Sequence, residues 1–393
     1  MTLIRTTDQL AQFCRSCSRY PYVAVDTEFM RDTTYFPQLC LVQIAAPGQG
    51  TELVSAVDTL AERLSLDPIY ELFSNPGVTK VFHSARQDLE IFYLDRKAFP
   101  QPFFDTQIAA MACGYAEQVS YEALVRSIVK RPLDKSRQFS AWNRRPLARR
   151  QLDYALGDVI HLRVIYEHLV AELTRLDRVW WLDEEFAELL RPELYAIDPE
   201  NAWKRLKTKN VSARYLAAIR QIAQFREEIA QRRNVPRNRV LSDKAMAELS
   251  SARPTDHSAL QKCRLLPGHL KKGSFAQGLL KAIRRARVLP DGDLPVRTPA
   301  KKPAVANHGF LDLLRALLKA NAVKAGVAPS LIATTSELED ISAGGMSGRV
   351  FTGWRNEIFG RDARRLANGE IALTREQNGV RIVATGIGNI PSG

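Results

Sequence analysis

The sequence predicts an α/β domain, in which helices flank a mixed sheet, followed by two small all-α domains. Three observations lead to this fold class. Within residues 1–175, strand-like runs rich in β-branched and aromatic residues are followed by helical stretches. From Trp203 onward, apolar residues recur mainly at the spacing of short amphipathic helices. A Pro- and Lys-rich segment, residues 291–306, separates these helices into two blocks of similar size.

The predicted sheet begins with three strands joined by short links, which indicates an antiparallel meander. These strands are Tyr22–Phe29, Gln38–Ala45 and Thr51–Val54. A helix at Thr59–Phe73 then leads to a short strand at Lys80–Phe82, so we expect a mixed sheet. The other helices predicted for this domain are Ala85–Tyr93, Thr106–Cys113, Tyr121–Val129 and Ala148–Leu173.

Two helical blocks and a hairpin are predicted for the second half. The first block contains Ala213–Arg232, Asp243–Ser250, His257–Arg264 and Phe275–Val288. The second block contains Phe310–Lys324, Ser330–Leu338 and Val350–Phe359. A hairpin is expected around Asn378-Gly379, with strands at Glu370–Leu373 and Val380–Val383. The expected divisions are a domain at 1–175, a connector at 176–209, a helical domain at 210–290, the linker at 291–306, a helical domain at 307–366 and a tail at 367–393.

Composition and cysteine usage favour a cytoplasmic protein of several domains. The 393 residues exceed what one hydrophobic core usually supports. No apolar run approaches the roughly 20 residues that span a bilayer, and Met1 to Gln12 lack the apolar core of a signal peptide. The cysteines number five, and Cys14 and Cys17 have no second pair at zinc-ligand spacing, so we expect free thiols. We expect neither export nor membrane insertion.

Charge is distributed unevenly along the chain. Residues 1–200 contain 22 Lys and Arg against 28 Asp and Glu, whereas residues 201–393 contain 34 against 15. The first part therefore carries a net charge of −6 and the second +19. Because clustered Lys and Arg neutralise phosphates, the second part is predicted to bind a polyanion. The alternative is a basic surface that is only solvated.

Asp26 and Glu28 lie within the predicted strand Tyr22–Phe29. Side chains alternate between the two faces of a strand, so acids two residues apart point the same way. Paired buried carboxylates repel each other and are costly to bury unless a cation neutralises them. The pair therefore predicts a site for a divalent metal.

Three further residues are candidates for the same site. Asp88 lies in the first turn of the helix that follows the fourth predicted strand. Tyr154 and Asp158 are four residues apart and project from one helix face, whereas Asp153 lies off that face. The four acids could supply oxygen ligands to two Mg²⁺ or Mn²⁺ ions. Such a pair suits phosphodiester hydrolysis, with Tyr154 orienting the attacking water. Taken singly, Asp88 at the start of a helix is also typical of a capping residue, and Tyr154 is also typical of a packing residue.

These residues resemble the exonuclease motifs of the bacterial ribonuclease D family. Val25–Phe29 followed by Tyr35–Ile44 resembles the first motif, His83–Glu90 the second, and Tyr154–Asp158 the third. Other similar segments are Asp105–Gln107, Leu133–Lys135, Trp142 and Arg145–Leu147. The resemblance extends in order over essentially the whole chain.

The resemblance implies the ribonuclease-H-like fold of the DEDD exonucleases. The metal ligands it implies are Asp26, Glu28, Asp88 and Asp158. Asp26 would bridge both ions, and Glu28 and Asp158 would complete the site that binds the attacking water. Asp88 would serve the other ion through water. Tyr154 stands where a sister subgroup has His, which implies the tyrosine subclass.

Residues 213–283 resemble an HRDC domain, a small helical module that binds nucleic acid. The similar segments are Phe225–Glu227, Asn234–Arg237, Val240–Asp243 and Gly278–Leu280, with Phe225 in place of the usual Trp. A second, more divergent module is similar at Leu311–Lys319, Ala328–Leu331, Gly353–Arg355 and Phe359-Gly360. The two helical domains are therefore expected to be of HRDC type.

Five residues are candidates for contacts with nucleic acid: His83, Lys271, Lys272, Arg284 and Arg285. The four basic ones would contact phosphates without reading bases. His83 fits a role in shaping the loop before Asp88 equally well. Trp180-Trp181 is predicted to be an interdomain packing patch rather than a platform for stacked bases.

The sequence thus predicts a metal-dependent 3′→5′ exoribonuclease that releases nucleoside 5′-monophosphates. The resemblance implies tRNA precursors as its substrates. No membrane partner and no organic cofactor are expected, and a monomer is favoured. One alternative is a DNA 3′→5′ exonuclease of the repair or proofreading type, because a preference for the 2′-hydroxyl cannot be read from these residues. The other is a non-catalytic RNA-binding scaffold, which the presence of all four acids disfavours.

Overall fold

The structure is a computed structural model that describes residues 2–48, 53–133, 140–206, 208, 211–295, 307–377 and 379–385. A six-stranded mixed sheet flanked by helices forms the N-terminal part, and the rest of the described chain is mainly helical, which confirms the predicted fold class. No helix in this described part is long and apolar enough to cross a membrane. All five cysteines are free thiols, as predicted.

The sheet has the spatial order β1-β4-β3-β2-β5-β6. Its strands are β1 (Thr2–Ile4), β2 (Tyr22–Met30), β3 (Gln38–Ala45), β4 (Val54–Val57), β5 (Thr79–Phe82) and β6 (Phe103–Asp105). β2, β3 and β4 form the predicted antiparallel meander. β5 runs parallel to β2 on its other side, and β6 runs parallel to β5. β2 is therefore a central strand with a neighbour on each edge.

The edges of the sheet differ from the prediction. β1 pairs in parallel with β4 and β6 with β5, and neither strand was predicted because three residues are too few to show a period. β4 begins at Val54, where the predicted strand ends, and Thr51 and Glu52 of that prediction lie outside the described residues.

Six α-helices accompany this sheet within the described residues. They are α1 (Thr7–Cys17), α2 (Asp67–Ser74), α3 (Arg86–Arg96), α4 (Thr106–Ala112), α5 (Tyr121–Leu124) and α6 (Arg149–Arg175). The helix predicted at Thr59–Phe73 is wrong in its first half, because helical structure begins only at Asp67. Pro68 is tolerated in a first turn but not in a helix interior, and Arg63 has a φ of +65°.

The sheet separates two hydrophobic cores. One core contains Val23 and Val25 of β2, packed with buried residues of α1, α2 and α3. The other contains Ala24 of β2, packed with buried residues of α4 and α6. Consecutive residues of β2 thus face different cores, as the alternation of a strand requires.

The first helical block follows a connector that contains α7 (Asp183–Leu189). Its helices are α8 (Ala213–Arg233), α9 (Arg237–Val240), α10 (Asp243–Ala252), α11 (His257–Gln261) and α12 (Gly273–Arg287). Ser212 and Ser242 cap α8 and α10 by accepting backbone N–H bonds. Gly278 of α12 faces the Phe225 ring of α8 so closely that a Cβ there would lie 2.6 Å from Cε2. The glycine therefore allows these two helices to pack.

The second helical block begins with an 18-residue helix, continues with short helices and ends in a hairpin. The helices are α13 (His308–Ala325), α14 (Pro329–Ile332), α15 (Thr335–Ser342), α16 (Gly353–Arg355) and α17 (Arg361–Ala367). The single helix predicted at Ser330–Leu338 is wrong, because Thr334 and Glu337 form a capping box that starts α15 anew. The predicted hairpin is confirmed as β7 (Ile371–Glu376) paired with β8 (Gly379–Ala384), and Asn378 lies outside the described residues.

Tyr35 joins the α/β domain to the first helical block. Its hydroxyl donates to the carboxylate of Glu227, a side chain with no exposed surface, and the Arg237 guanidinium donates to both residues. The backbone N–H groups of Tyr35 and Phe36 donate to Oδ1 of Asn234, at 3.1 and 3.0 Å. A buried and charge-assisted network therefore fixes this junction.

Trp181 joins the connector to the second helical block. Its ring stacks on the Trp354 ring, with centroids 4.2 Å apart and an angle of 3° between the planes. Arg355, which is buried, pairs with Glu184 and Glu185 beside this stack. Interdomain packing is thus confirmed for Trp181, whereas Trp180 is 50% exposed.

Candidate active site

β2 carries Asp26 and Glu28 on the side of the sheet that α6 covers. Asp26 and Glu28 follow Ala24 by two and four residues, so their side chains point to the same face of the strand as the Ala24 side chain, which lies in the core beneath α6. α6 packs on this face through Ala155 and Val159, which are fully buried. Asp158 lies on the same stretch of α6 and is 8% exposed.

Three carboxylates meet between β2 and α6. One carboxylate oxygen each from Asp26, Glu28 and Asp158 lies within 4.8 Å of the others. A single cation can bind three oxygens at this separation, whereas three anions without a cation repel one another.

Asp88 approaches from the opposite side of the sheet. It lies in the first turn of α3, is 8% exposed, and accepts a hydrogen bond from the Thr27 hydroxyl. Thr27 stands between Asp26 and Glu28 on β2, so its side chain points to the other face. Asp88 is not one of the three clustered carboxylates, but the charge of Asp26 raises the pKa of Asp88.

All four carboxylates have raised pKa values. Burial raises the pKa of Asp26 to about 6. Burial, followed by the charges of Asp26, Asp158 and Asp88, raises the pKa of Glu28 to about 10. Burial and the charge of Asp26 raise the pKa of Asp158 and of Asp88 well above the usual range.

A divalent cation fits this set of donors. None of the salt bridges within the described residues involves any of the four acids. No basic side chain in the described part of the chain offsets their negative charge, and a hard cation with oxygen ligands can do so. Mg²⁺ and Mn²⁺ both prefer carboxylate oxygens and water.

Tyr154 lies one turn before Asp158 on α6 and is partly buried. Burial, and then the charges of Asp158 and Glu28, raise the pKa of the Tyr154 phenol above its ordinary value. The phenol is therefore protonated at neutral pH and can donate a hydrogen bond towards the carboxylates. The Trp142 ring, with its centroid 6.3 Å away, packs against Tyr154.

Tyr121 supports the site, and sequence reasoning missed it. Its hydroxyl donates to the backbone carbonyl of Asp158, and burial followed by the charge of Asp158 raises its pKa well above the usual range. The two residues are 37 positions apart, and Tyr121 begins an ordinary short helix, so no local pattern marked it. Thr27 was also missed, although its position between two acids was a usable signal.

His83 packs inside the loop that leads to Asp88. Its Nδ1 lies 3.0 Å from Oγ1 of Thr106, and its ring centroid lies 5.3 Å from that of Tyr121. Burial lowers the pKa of His83. Asp105 holds the same loop by accepting the backbone N–H bonds of Ser84 and Ala85. These contacts favour a role in shaping the loop, and contact with nucleic acid stays a prediction for His83.

The other candidates for nucleic-acid contact lie in the first helical block. Lys272, Arg284 and Arg285 are exposed, whereas Nζ of Lys271 donates to the carbonyl of Gln261 at 2.9 Å. α12 carries both arginines in its last turn. Their contacts with RNA stay predictions.

Comparisons with known proteins agree with this architecture. Residues 1–174 match the family model described as 3′-5′ exonuclease, and residues 216–283 match the HRDC domain. The chain is 52% identical to ribonuclease D of Jannaschia sp. (strain CCS1), covering 97% of this chain and 98% of that one. It is 42% identical to ribonuclease D of Granulibacter bethesdensis, covering 98% and 97%. The crystal structure of Escherichia coli RNase D, described as an exoribonuclease involved in structured RNA processing, matches with a TM-score of 0.78 and 25% identity over 93% of this chain and 98% of that one.

A ribonuclease-H-like sheet with clustered carboxylates, followed by an HRDC module, defines a 3′–5′ exonuclease of the DEDD type, a class that depends on divalent metals. The chain is similar to two ribonucleases D over nearly its full length, which identifies the substrate polymer as RNA. The chain belongs to the ribonuclease D family and is a 3′–5′ exoribonuclease, as the sequence predicted.

Proposed function

We propose that the enzyme uses two divalent cations, Mg²⁺ or Mn²⁺, to remove nucleoside 5′-monophosphates from the 3′ end of RNA. The observation that carries this proposal is the cluster of Asp26, Glu28 and Asp158. No basic side chain among the described residues forms a salt bridge with these three carboxylates. These three would hold one ion, and Asp26 with Asp88 would hold the other. When bound, the ions activate the attacking water and stabilise the leaving 3′ oxygen.

Tyr154 would orient the attacking water. Its hydroxyl lies one turn from Asp158 on α6, where it can hydrogen-bond a water held at the carboxylates. Asp158, four residues later on α6, limits where that water can lie. Tyr121 holds the backbone of α6 at Asp158 and so keeps both side chains in register.

We further propose that the RNAs trimmed are tRNA precursors with 3′ extensions. The similarity to an RNase D described as acting in structured RNA processing supports this task. The net charge of +19 on residues 201–393 suits a folded RNA body, which presents many phosphates at once.

A trimming assay tests this proposal. A tRNA precursor labelled at its 5′ end and carrying a 3′ extension should shorten stepwise in Mg²⁺ or Mn²⁺ and accumulate near the mature end. Excess EDTA should stop the reaction. Matched unstructured RNA and DNA oligonucleotides serve as controls, with RNA degraded faster. If trimming continued through the mature tRNA body at the same rate as through the 3′ extension, the tRNA task would be contradicted. Internal cleavage would contradict exonucleolytic action.

The two alternatives are less well supported. Membership of the ribonuclease D family favours RNA as the substrate over DNA, which a repair or proofreading enzyme would degrade. A non-catalytic scaffold does not account for three clustered carboxylates with Tyr154 beside them, because that arrangement is costly to keep without a cation.

The substitution Tyr154→Phe should reduce kcat by a factor on the order of 10²–10⁴, with KM for RNA little changed, because only the water-orienting hydroxyl is lost. Single-turnover degradation of a labelled RNA measures this effect. Tyr115→Phe is the matched control, since the Tyr115 hydroxyl contacts the far part of α6, 3.5 Å from Nε2 of His168. An unchanged kcat in Tyr154→Phe would show that Tyr154 only packs against Trp142.

A further inference from the structure

A cavity of about 450 Å³ lies at the junction of the α/β domain with the first helical block. Among its lining residues are Arg31 and Tyr35 from the loop after β2, Arg205 from the connector, and Arg226 and Arg237 from the helical block. This volume falls within the range of pockets that bind small ligands, and it accommodates a phosphate with its water. Four guanidinium groups from three parts of the chain thus surround one space.

Three of these arginines are already paired. Arg31 makes a bidentate ion pair with Glu90, with both N–O distances 2.8 Å. Arg226 pairs with Asp243, which also lines the cavity, and Arg237 pairs with Glu227. The acidic partners fix the guanidinium groups in position and leave some of their N–H donors for another anion.

Arg205 adds a positive charge that no salt bridge in the described residues neutralises. It is exposed, ends the short 3₁₀ helix Pro199–Arg205, and forms no salt bridge within the described part of the chain. Its positive charge contributes to lowering the pKa of Glu227, so the guanidinium lies within electrostatic range of the junction. The lining therefore carries one uncompensated cation beside three that are held in place.

The cavity lies close to the carboxylates along β2. Arg31 directly follows Met30, the last residue of β2, and is three positions beyond Glu28. At roughly 3.3 Å per residue, the Cα atoms of Glu28 and Arg31 are at most about 10 Å apart. An RNA strand whose 3′ end reaches Glu28 can therefore place a phosphate only a few nucleotides upstream in the cavity.

We propose that this arginine-lined cavity binds a backbone phosphate upstream of the RNA 3′ end. This inference rests on the proposed function, because it takes the 3′ end to lie at the carboxylates. Guanidinium groups match the geometry of phosphate oxygens, and fixed donors lose little conformational entropy on binding. The phosphate would bridge the α/β domain and the HRDC-like block, so that both parts hold one strand.

The substitution Arg205→Gln tests the cavity. For a 12-nucleotide RNA we expect KM to rise about tenfold, whereas KM for a dinucleotide, which has no upstream phosphate, should stay within about twofold. In EDTA, anisotropy titrations of the same 12-mer should show weaker binding, with a salt slope reduced by about 1. Lys204→Gln is the matched control, because Lys204 is the preceding exposed residue and does not line the cavity.

The outcomes separate this inference from the proposed function. Equal KM values and salt slopes for Arg205→Gln, Lys204→Gln and the unsubstituted enzyme would overturn the cavity while leaving exonuclease action intact. Equal losses on the 12-mer and the dinucleotide would also overturn it, since the effect would then not depend on an upstream phosphate. If the unsubstituted enzyme degraded no RNA, the proposed function would fail, and the titrations in EDTA would still decide whether the cavity binds phosphate. Unchanged thermal unfolding of Arg205→Gln rules out a folding effect.

Discussion

Replacing Asp26 with Asn is expected to reduce RNA hydrolysis by more than about 10³-fold while RNA binding is retained. Asp26 is the acid whose charge raises the pKa of Glu28, Asp88 and Asp158, so it lies electrostatically at the centre of the site. Its loss removes the carboxylate that would bridge both cations. The volume and shape of the side chain change little, so the fold should be preserved.

Calorimetric titration with Mn²⁺ should show two binding events in the unsubstituted enzyme and none of comparable affinity in Asp26→Asn. The control Asp153→Asn changes an exposed acid of α6 that pairs with Arg149, and it should leave both activity and metal binding intact. Full activity in Asp26→Asn would contradict the metal assignment. Failure of the unsubstituted enzyme to bind Mn²⁺ would revive the scaffold alternative.

The direction of the Asp26 pKa shift predicts how Asp26→Asn affects the stability of the metal-free fold. The pKa of Asp26 is raised in the folded state, so its ionisation destabilises the metal-free fold as pH increases from the unfolded value towards about 6. At pH 7 without metal, Asp26→Asn should therefore unfold at a temperature no lower than that of the unsubstituted enzyme. An inactive but equally stable variant separates chemistry from folding.

The substitution Glu227→Gln should lower the free energy of unfolding of the first helical block by about 3 kcal/mol. Glu227 has no exposed surface and accepts hydrogen bonds from both Tyr35 and Arg237. Without its charge, the Arg237 guanidinium remains at the junction with no carboxylate partner. The loss lies at the low end for buried pairs, because the Arg237 side chain is 29% exposed.

Denaturant unfolding followed by far-UV circular dichroism and Trp fluorescence would measure this loss. Glu228→Gln is the matched control, since Glu228 is the next residue, exposed, and bonded to Gln224. It should change the free energy of unfolding by less than about 0.5 kcal/mol. If both variants unfold alike, the Tyr35–Glu227–Arg237 network does not stabilise the junction.

Local patterns in the sequence were sufficient for the catalytic strand and helix. The β-branched run before Asp26 predicts β2, and strand alternation alone places Glu28 on the same face. The four-residue spacing of Tyr154 and Asp158 likewise predicts one face of α6. The helix predicted at Thr59–Phe73 failed because apolar content outweighed the signal of Pro68, which marks the beginning of a helix.

The sequence by itself determined which residue types are present and which of them share a strand or helix face, because those relations depend on backbone periods of two and 3.6 residues. Only the tertiary structure decided that Tyr121 reaches the carbonyl of Asp158, that Thr27 holds Asp88, and that Tyr35 meets Glu227 across 192 residues. Such contacts depend on how whole elements pack, and packing minimises buried charge and void over the entire fold. Asp26 and Glu28 could thus be identified from eight residues of sequence, whereas the junction that holds the helical block could not.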